Sequence, residues 1–354
     1  MADEKEKTGI RAVAKLSGVS TATVSRALNN PQSVSEDLRA RIQRVIDETG
    51  YVPHGMARAL SSNRTRTIGA IIPTIDNAMF ARGIESLQKF LSSRGYMLIL
   101  STNGYDIDVE LEQARNLISR GVDGLILRGD CHHQALRDLL ATRDVPFINV
   151  GIYNPSQPYP SIGVDNEAAA HRAMTHLIEI GHRRIGVVSA LQRNNDRASA
   201  RIRGFRRALA EQGLSLPEEW HVEVRYTLDD AREAARQIFM GQSMPTAIAC
   251  GNDVLAYGVM LEAERRGLNI PFDLSVVGFD DLEWSRHLRP ALTTLHIPTD
   301  LTWRGAGEYI LARLDGHKVP THYEVDYALI VRESTAPPTN NGNRFDLERD
   351  SNQK

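Results

Sequence analysis

Cysteine is scarce in this chain. Cys131 and Cys250 are the only two among 354 residues. They form no disulfide framework and no metal-ligand spacing, and so point to a reducing cytoplasm. Long apolar runs are missing too. None approaches the ~18–20 residues that a membrane helix needs. Met1 to Lys7 is charged and lacks the apolar stretch of a secretory signal. Neither a nucleophile elbow, a Walker loop nor an HExxH pair occurs. Gly305-Ala306-Gly307 sits in a helical pattern after Pro298, outside the strand-turn setting of a nucleotide fingerprint. Cys131-His132-His133 is a lone cluster, and His176 and His182 share no helical face. These absences lead us to expect no catalytic residues, no metal, no cofactor and no enzyme.

The composition is that of a globular protein, with 42% hydrophobic and 24% charged residues. Its length suits two or three domains. The net charge of -2 hides an asymmetry. Nine basic and four acidic residues fall between Thr8 and Arg66, so a basic head precedes an acidic body. A head of that sign suits a polyanionic partner.

Three helical patterns occupy the head. The first runs from Ile10 to Ser17, with Val13, Ala14 and Leu16 apolar, and Gly18 ends it. Ser20 is placed to cap a second, about Thr21 to Asn29. There Val24, Ala27 and Leu28 cluster on one side, and Thr21, Ala22, Ser25, Arg26 and Asn29 on the other. Ser35 is placed to cap a third helix that ends near Thr49. Glu36 and Asp37 complement its dipole, and Leu38, Ile42, Val45 and Ile46 form its stripe. Helix, glycine turn, polar-faced helix and supporting helix make a helix-turn-helix.

The stretch Val13–Asn29, VAKLSGVSTATVSRALN, closely resembles the N-terminal signature of LacI/GalR regulators. Val34-Ser35 through Gly50-Tyr51-Val52-Pro53 is similar to the same family's third helix and following turn. The resemblance implies base reading by Thr21, Ala22 and Arg26, and phosphate contact by Ser20, Ser25 and Asn29. Gly9 and Ala12 stand where the family usually has a Thr cap and an Asp. Arg11 replaces a frequent aromatic contact and is expected to touch phosphate. Pro53–Leu60 resembles the family's hinge helix, with Leu60 as the minor-groove wedge and Ala57 as the small residue beside it. Eight residues including Gly55 are too few for a stable lone helix, so this one would form on DNA.

From Thr67 short apolar runs alternate with helical segments, the mark of parallel sheets covered on both faces. Gly163-Val164-Asp165-Asn166-Glu167, Asn252-Asp253-Val254-Leu255 and Val276-Val277-Gly278-Phe279-Asp280-Asp281 resemble the periplasmic-binding-protein-like core of the same family. The resemblance implies two doubly wound α/β lobes joined by three crossovers, with an effector between them. The expected domains are a helix-turn-helix at 1–52, a hinge and linker at 53–66, and an effector-binding domain at 67–338. Its first lobe is about 67–162 and 297–322, its second about 163–296 and 323–338. The implied cleft residues are Met79, Phe80, Arg203, Tyr226, Asn252 and Asp280, a mix of hydrogen-bonding groups and apolar wall.

Residues 339–354 read as a disordered tail without leucine heptads, so a homodimer on a palindromic operator is expected. Family members respond to sugars, sugar acids, purines or co-repressor proteins. A sugar or sugar acid is the expected effector here, with no membrane partner. The competing reading is a transport-type sugar-binding protein with the same core. Removing residues 1–66 separates the two, because only a regulator would lose operator binding.

Overall fold

The computed structural model describes residues 9–52, 64–241 and 243–339. It divides between Arg66 and Thr67 into two units. The hinge residues Ala57 and Leu60, and the tail beyond Thr339, lie outside the described residues.

In the first unit, α1 spans Ile10–Leu16, α2 Thr21–Asn29 and α3 Glu36–Thr49. Gly18 (φ 64°) and Gly50 (φ 62°) supply left-handed turns after α1 and α3. Val13, Ala14, Val24, Ala27, Ile42, Val45, Ile46 and Tyr51 form the core. Leu16 is 63% exposed, while Ser17 is buried in its place. At about 100° per residue, Ser17 falls between Val13 and Ala14 on the helical wheel, and Leu16 falls well outside them. Ser35 holds the N-cap position of α3 but its hydroxyl makes no capping bond, so Glu36 and Asp37 alone serve that end. Ser20 does cap α2, accepting from the Thr23 amide at 3.1 Å.

The second unit begins with β1 (Thr67–Ile72), α4 (Ala78–Ser93), β2 (Met97–Thr102), α5 (Ile107–Ser119) and β3 (Gly124–Arg128). It continues with α6 (Gln134–Arg143), β4 (Phe147–Val150), β5 (Ser161–Gly163), α7 (Asn166–Glu179), β6 (Ile185–Ala190), α8 (Asp196–Ala210) and β7 (His221–Val224). Then come α9 (Leu228–Met240), β8 (Ala247–Cys250), α10 (Asp253–Arg265), β9 (Ser275–Asp280), β10 (Thr293–His296), α11 (Thr299–Leu314), β11 (His322–Glu324) and β12 (Ala328–Ile330).

Two six-stranded sheets result, ordered β11-β5-β4-β3-β1-β2 and β12-β10-β9-β8-β6-β7. All pairings are parallel except β10 with β12. Apolar clusters cover both faces of each sheet, which is why the central strands read as unbroken apolar runs. The chain crosses between sheets after β5, after β10 and after β11.

The lobe boundaries differ slightly from expectation. Gly163, Tyr323 and Glu324 belong to the first sheet, because Ser161 to Gly163 pair in register with His322 to Glu324. Three polar-leaning residues in β11 give too little pattern to read as a strand.

Strand order reverses between β1 and β3 in the first sheet and between β6 and β8 in the second. The carboxyl ends of those strands are where open α/β sheets bind ligands. Arg128 closes β3, and Gly251-Asn252 follows β8.

Candidate functional site

The head offers one polar face. Ser20, Thr21, Ala22 and Arg26 are exposed and Ser25 is half-buried on α2, opposite buried Val24 and Ala27. Arg11 is exposed on α1. Small side chains around one arginine let a helix approach base edges closely, and the guanidinium fork matches guanine O6 and N7. Asn29 ends α2.

In the second unit, a cavity of about 500 Å³ opens among the loops that follow β1, β2, β6 and β7. Tyr105 and Tyr226 both line it, one from each sheet's side, with ring centroids 6.4 Å apart. Deeper lies a chamber of about 20 Å³ bordered by Met79, Phe80, Arg128, Gly151, Arg201, Asp280 and Trp303. Its volume suits about one water molecule. Tyr105 lines the larger cavity. Burial raises its phenol above the ordinary range, and Arg197, Arg128 and Arg201 act on it electrostatically.

Arg201 organises the chamber. Its Nε donates to Asn166 Oδ1 at 3.1 Å, its Nη1 donates to the Gly251 carbonyl, and its Nη2 lies 3.8 Å from Asp280 Oδ1. The guanidinium stacks 3.6 Å from the centroid of Phe279. Arg128 donates to the Val150 carbonyl at 3.2 Å and lies 5.5 Å from the centroid of Phe80. Arg197 pairs with Asp196 at 2.7 Å, and Asp196 accepts from the Asp130 amide at 2.8 Å, linking the two lobes.

Burial pushes the Asp280 carboxyl up to about 6, although Arg201 and Arg128 pull it down. The loop after it is firmly held. Asp253 accepts from the Leu282 amide at 2.8 Å and from Ser285 Oγ at 2.6 Å, and Asp281 pairs with Arg332 at 2.6 Å. Such anchoring lets Asp280 (φ 114°) and Asp281 (φ 54°) keep positive φ. Tyr105 (φ 64°) and Asn194 (φ 55°), both lining the larger cavity, are strained likewise.

Residues 9–54 match the model of bacterial regulatory proteins of the lacI family, and 174–335 match a periplasmic binding protein-like domain. The HTH-type transcriptional repressor PurR of Vibrio vulnificus is 33% identical over 330 residues, covering 92% of this chain and 98% of that one. The chain belongs to the LacI family. Its architecture of helix-turn-helix head and two-lobed ligand-binding core is that of the family's DNA-binding transcriptional repressors. A LacI-family regulator from Silicibacter pomeroyi superposes with TM-score 0.84 at 25% identity, over 93% of this chain and 99% of that one. The transcriptional regulator CelR, solved as a cellobiose complex, gives 0.68 at 27% identity, over 92% and 99%.

Within this LacI-family core, Met79, Phe80 and Asp280 border the inner chamber and Tyr226 the outer cavity. Asn252 is fully buried beside Gly251 and caps α10 by accepting from the Leu255 amide at 2.9 Å. Arg203 requires correction. Its side chain is 61% exposed and pairs with Glu167 at 2.9 Å, away from the chamber. Two helical positions differ by about 200°, so Arg201 and Arg203 cannot face the same way. Ile202, Phe205 and Leu209 define the buried side of α8, and Arg201 lies next to that side. That register could have singled out Arg201 from sequence. Arg128, Arg197 and Tyr105 were also missed, being single polar residues at the ends of elements.

A pH test follows from Asp280. Between its ordinary value of 3.8 and about 6, the folded protein retains a proton that the unfolded chain has lost. This carboxyl therefore makes stability fall as pH rises through that window. Asp280→Asn removes the contribution. The stability of wild type minus that of Asp280→Asn should decline from about pH 4 to about pH 6 in urea titrations. A difference independent of pH would exclude a carboxyl so perturbed.

Proposed function

We propose that this LacI-family chain is a cytoplasmic homodimeric repressor that reads a palindromic operator through α2. Its operator affinity is controlled by a small-molecule effector, a sugar or sugar acid, held between the two lobes, and it catalyses no reaction. The observation that carries this reading is the Arg201–Asp280 pair. It is buried at the carboxyl ends of the strands, in a chain that also bears an exposed polar recognition face. CelR, solved with cellobiose, supports a carbohydrate-type ligand. The lac repressor, solved as a dimer on operator with an anti-inducer, supports the fold comparison, with TM-score 0.83 at 23% identity.

The proposed division of labour is physical. Thr21, Ala22 and Arg26 read bases. Arg11, Ser20, Ser25 and Asn29 hold phosphates and set the register. Leu60 wedges the minor groove beside Ala57, with a kinkable step at the operator centre. An effector touching both lobes changes their relative angle. It therefore shares a coupling free energy with DNA binding, typically ~1–3 kcal/mol.

Operator titration by fluorescence anisotropy tests each part. Arg26→Ala should cost about 1–3 kcal/mol and relax preference at one base pair of each half-site. Leu60→Ala should weaken the operator complex while effector binding stays intact. Wild-type operator affinity in that variant removes the wedge. Asp280→Ala should abolish the response of operator affinity to effector, and a full response with unchanged effector affinity removes Asp280 from the site. Thermal-shift screening of sugars, sugar acids and nucleobases identifies the effector to use, because a cleft ligand stabilises the fold according to its occupancy.

A further inference from the structure

The chamber holds more positive charge than its own carboxylates balance. Arg128 and Arg201 line it against Asp280, and Arg197 stands near Arg128, paired with Asp196. Arg197 and Arg201 are each only 5% exposed. Asp196 is already committed to Arg197 and to the Asp130 amide. Among the described residues no carboxylate lies within 4 Å of Arg128, and its buried Nε has no partner. Burial and the repulsion of Arg197 pull its guanidinium down to about 9. A group that ordinarily stays charged throughout the accessible range is poorly solvated when pulled that far.

Two glycines make the crowding possible. A side chain on Gly151 would collide with the Arg128 guanidinium, and one on Gly129 with that of Arg197. Both glycines also hold positive φ, near 80°. The backbone is therefore shaped to receive these two guanidiniums at the ends of β3 and β4. Two further buried polar atoms lack partners: Oδ2 of Asp280 and Nδ2 of Asn252. Asp280 ends β9, and Asn252 follows the neighbouring β8. With Arg128 Nε, at the end of β3 in the other sheet, they make three unpartnered buried atoms at carboxyl ends of strands, where a ligand can complete them.

We infer that the effector is a hydroxylated small-molecule anion, whose carboxylate or phosphate is held by Arg128 and Arg197 while its hydroxyls meet Asp280 and Asn252. An oxyanion offers the Arg128 fork the acceptors it lacks, and charge-assisted bonds of this kind are the strong ones. A neutral sugar would leave Arg128 unbalanced. Asp280 does not argue against an anion. As a carboxyl raised to about 6, it accepts a proton readily, and as a carboxylate it accepts from hydroxyls. The present chamber is too small for such a molecule, so binding requires the lobes to part at the Tyr105–Tyr226 contact.

The inference rests on the cleft being the effector site. Full-length protein is titrated calorimetrically at neutral pH and constant ionic strength with D-glucose, D-gluconate, D-glucose 6-phosphate, hypoxanthine and inorganic phosphate. At least one anion should bind saturably, and its affinity should exceed that of D-glucose and hypoxanthine by tenfold or more. Gluconate against glucose 6-phosphate separates a carboxylate from a phosphate ligand. Arg128→Gln should erase that anion preference. D-glucose or hypoxanthine binding as tightly as the best anion overturns the inference, and so does silence from all three anions. Should Arg128→Gln not fold, the wild-type comparison of charged and neutral probes still decides. A neutral ligand lost in Asp280→Ala would overturn the anion yet leave the effector site standing. An anion that binds without altering operator affinity would uphold the anion and sink the regulatory reading.

Discussion

Buried guanidinium charge is the constraint around which the core is arranged. A charged group removed from water must find partners, or its cost to stability runs to several kcal/mol. Arg201 finds them in Asn166, Gly251, Asp280 and the ring of Phe279, and in doing so ties α7, α8, β8 and β9 into one cluster. Arg197 finds Asp196, which in turn receives the Asp130 amide from the other lobe. The lobes thus meet through the Asp130 amide bond to Asp196 and the Tyr105–Tyr226 ring contact.

The rest of the fold holds this cluster in place. Two doubly wound sheets bury their central strands on both faces and leave only strand ends to carry polar function. Backbone strain gathers at the same ends, at Tyr105, Asn194, Asp280 and Asp281. Asp253 and Arg332 over-determine the last two. Strain held this way marks a place where geometry has been set for something other than stability.

Much of this was legible in the residues. Strand-helix alternation is written in runs such as Ile68–Ile72 and Gly124–Leu127, because a strand covered on both faces must be apolar throughout. The recognition helix was legible because Ser20, Val24 and Ala27 fix both its start and its inward side. Asp280 was readable because it ends an apolar strand within a distinctive string. Arg203 was mistaken for Arg201 because a short motif names a segment without naming its helical face. Arg128 and Arg197 escaped because one arginine at the end of an element looks like ordinary surface. Only the folded chain brings them over Gly151 and Gly129.

The central claim is that the cleft and the DNA-reading head are thermodynamically linked. Linkage must be reciprocal, so the most direct test reads it from the side opposite to repression. Effector affinity is measured by calorimetry for the free protein and for the protein saturated with operator duplex. The account predicts that operator changes effector affinity by the same factor by which effector changes operator affinity. Identical effector affinity with and without operator, in a protein that binds both, would contradict it.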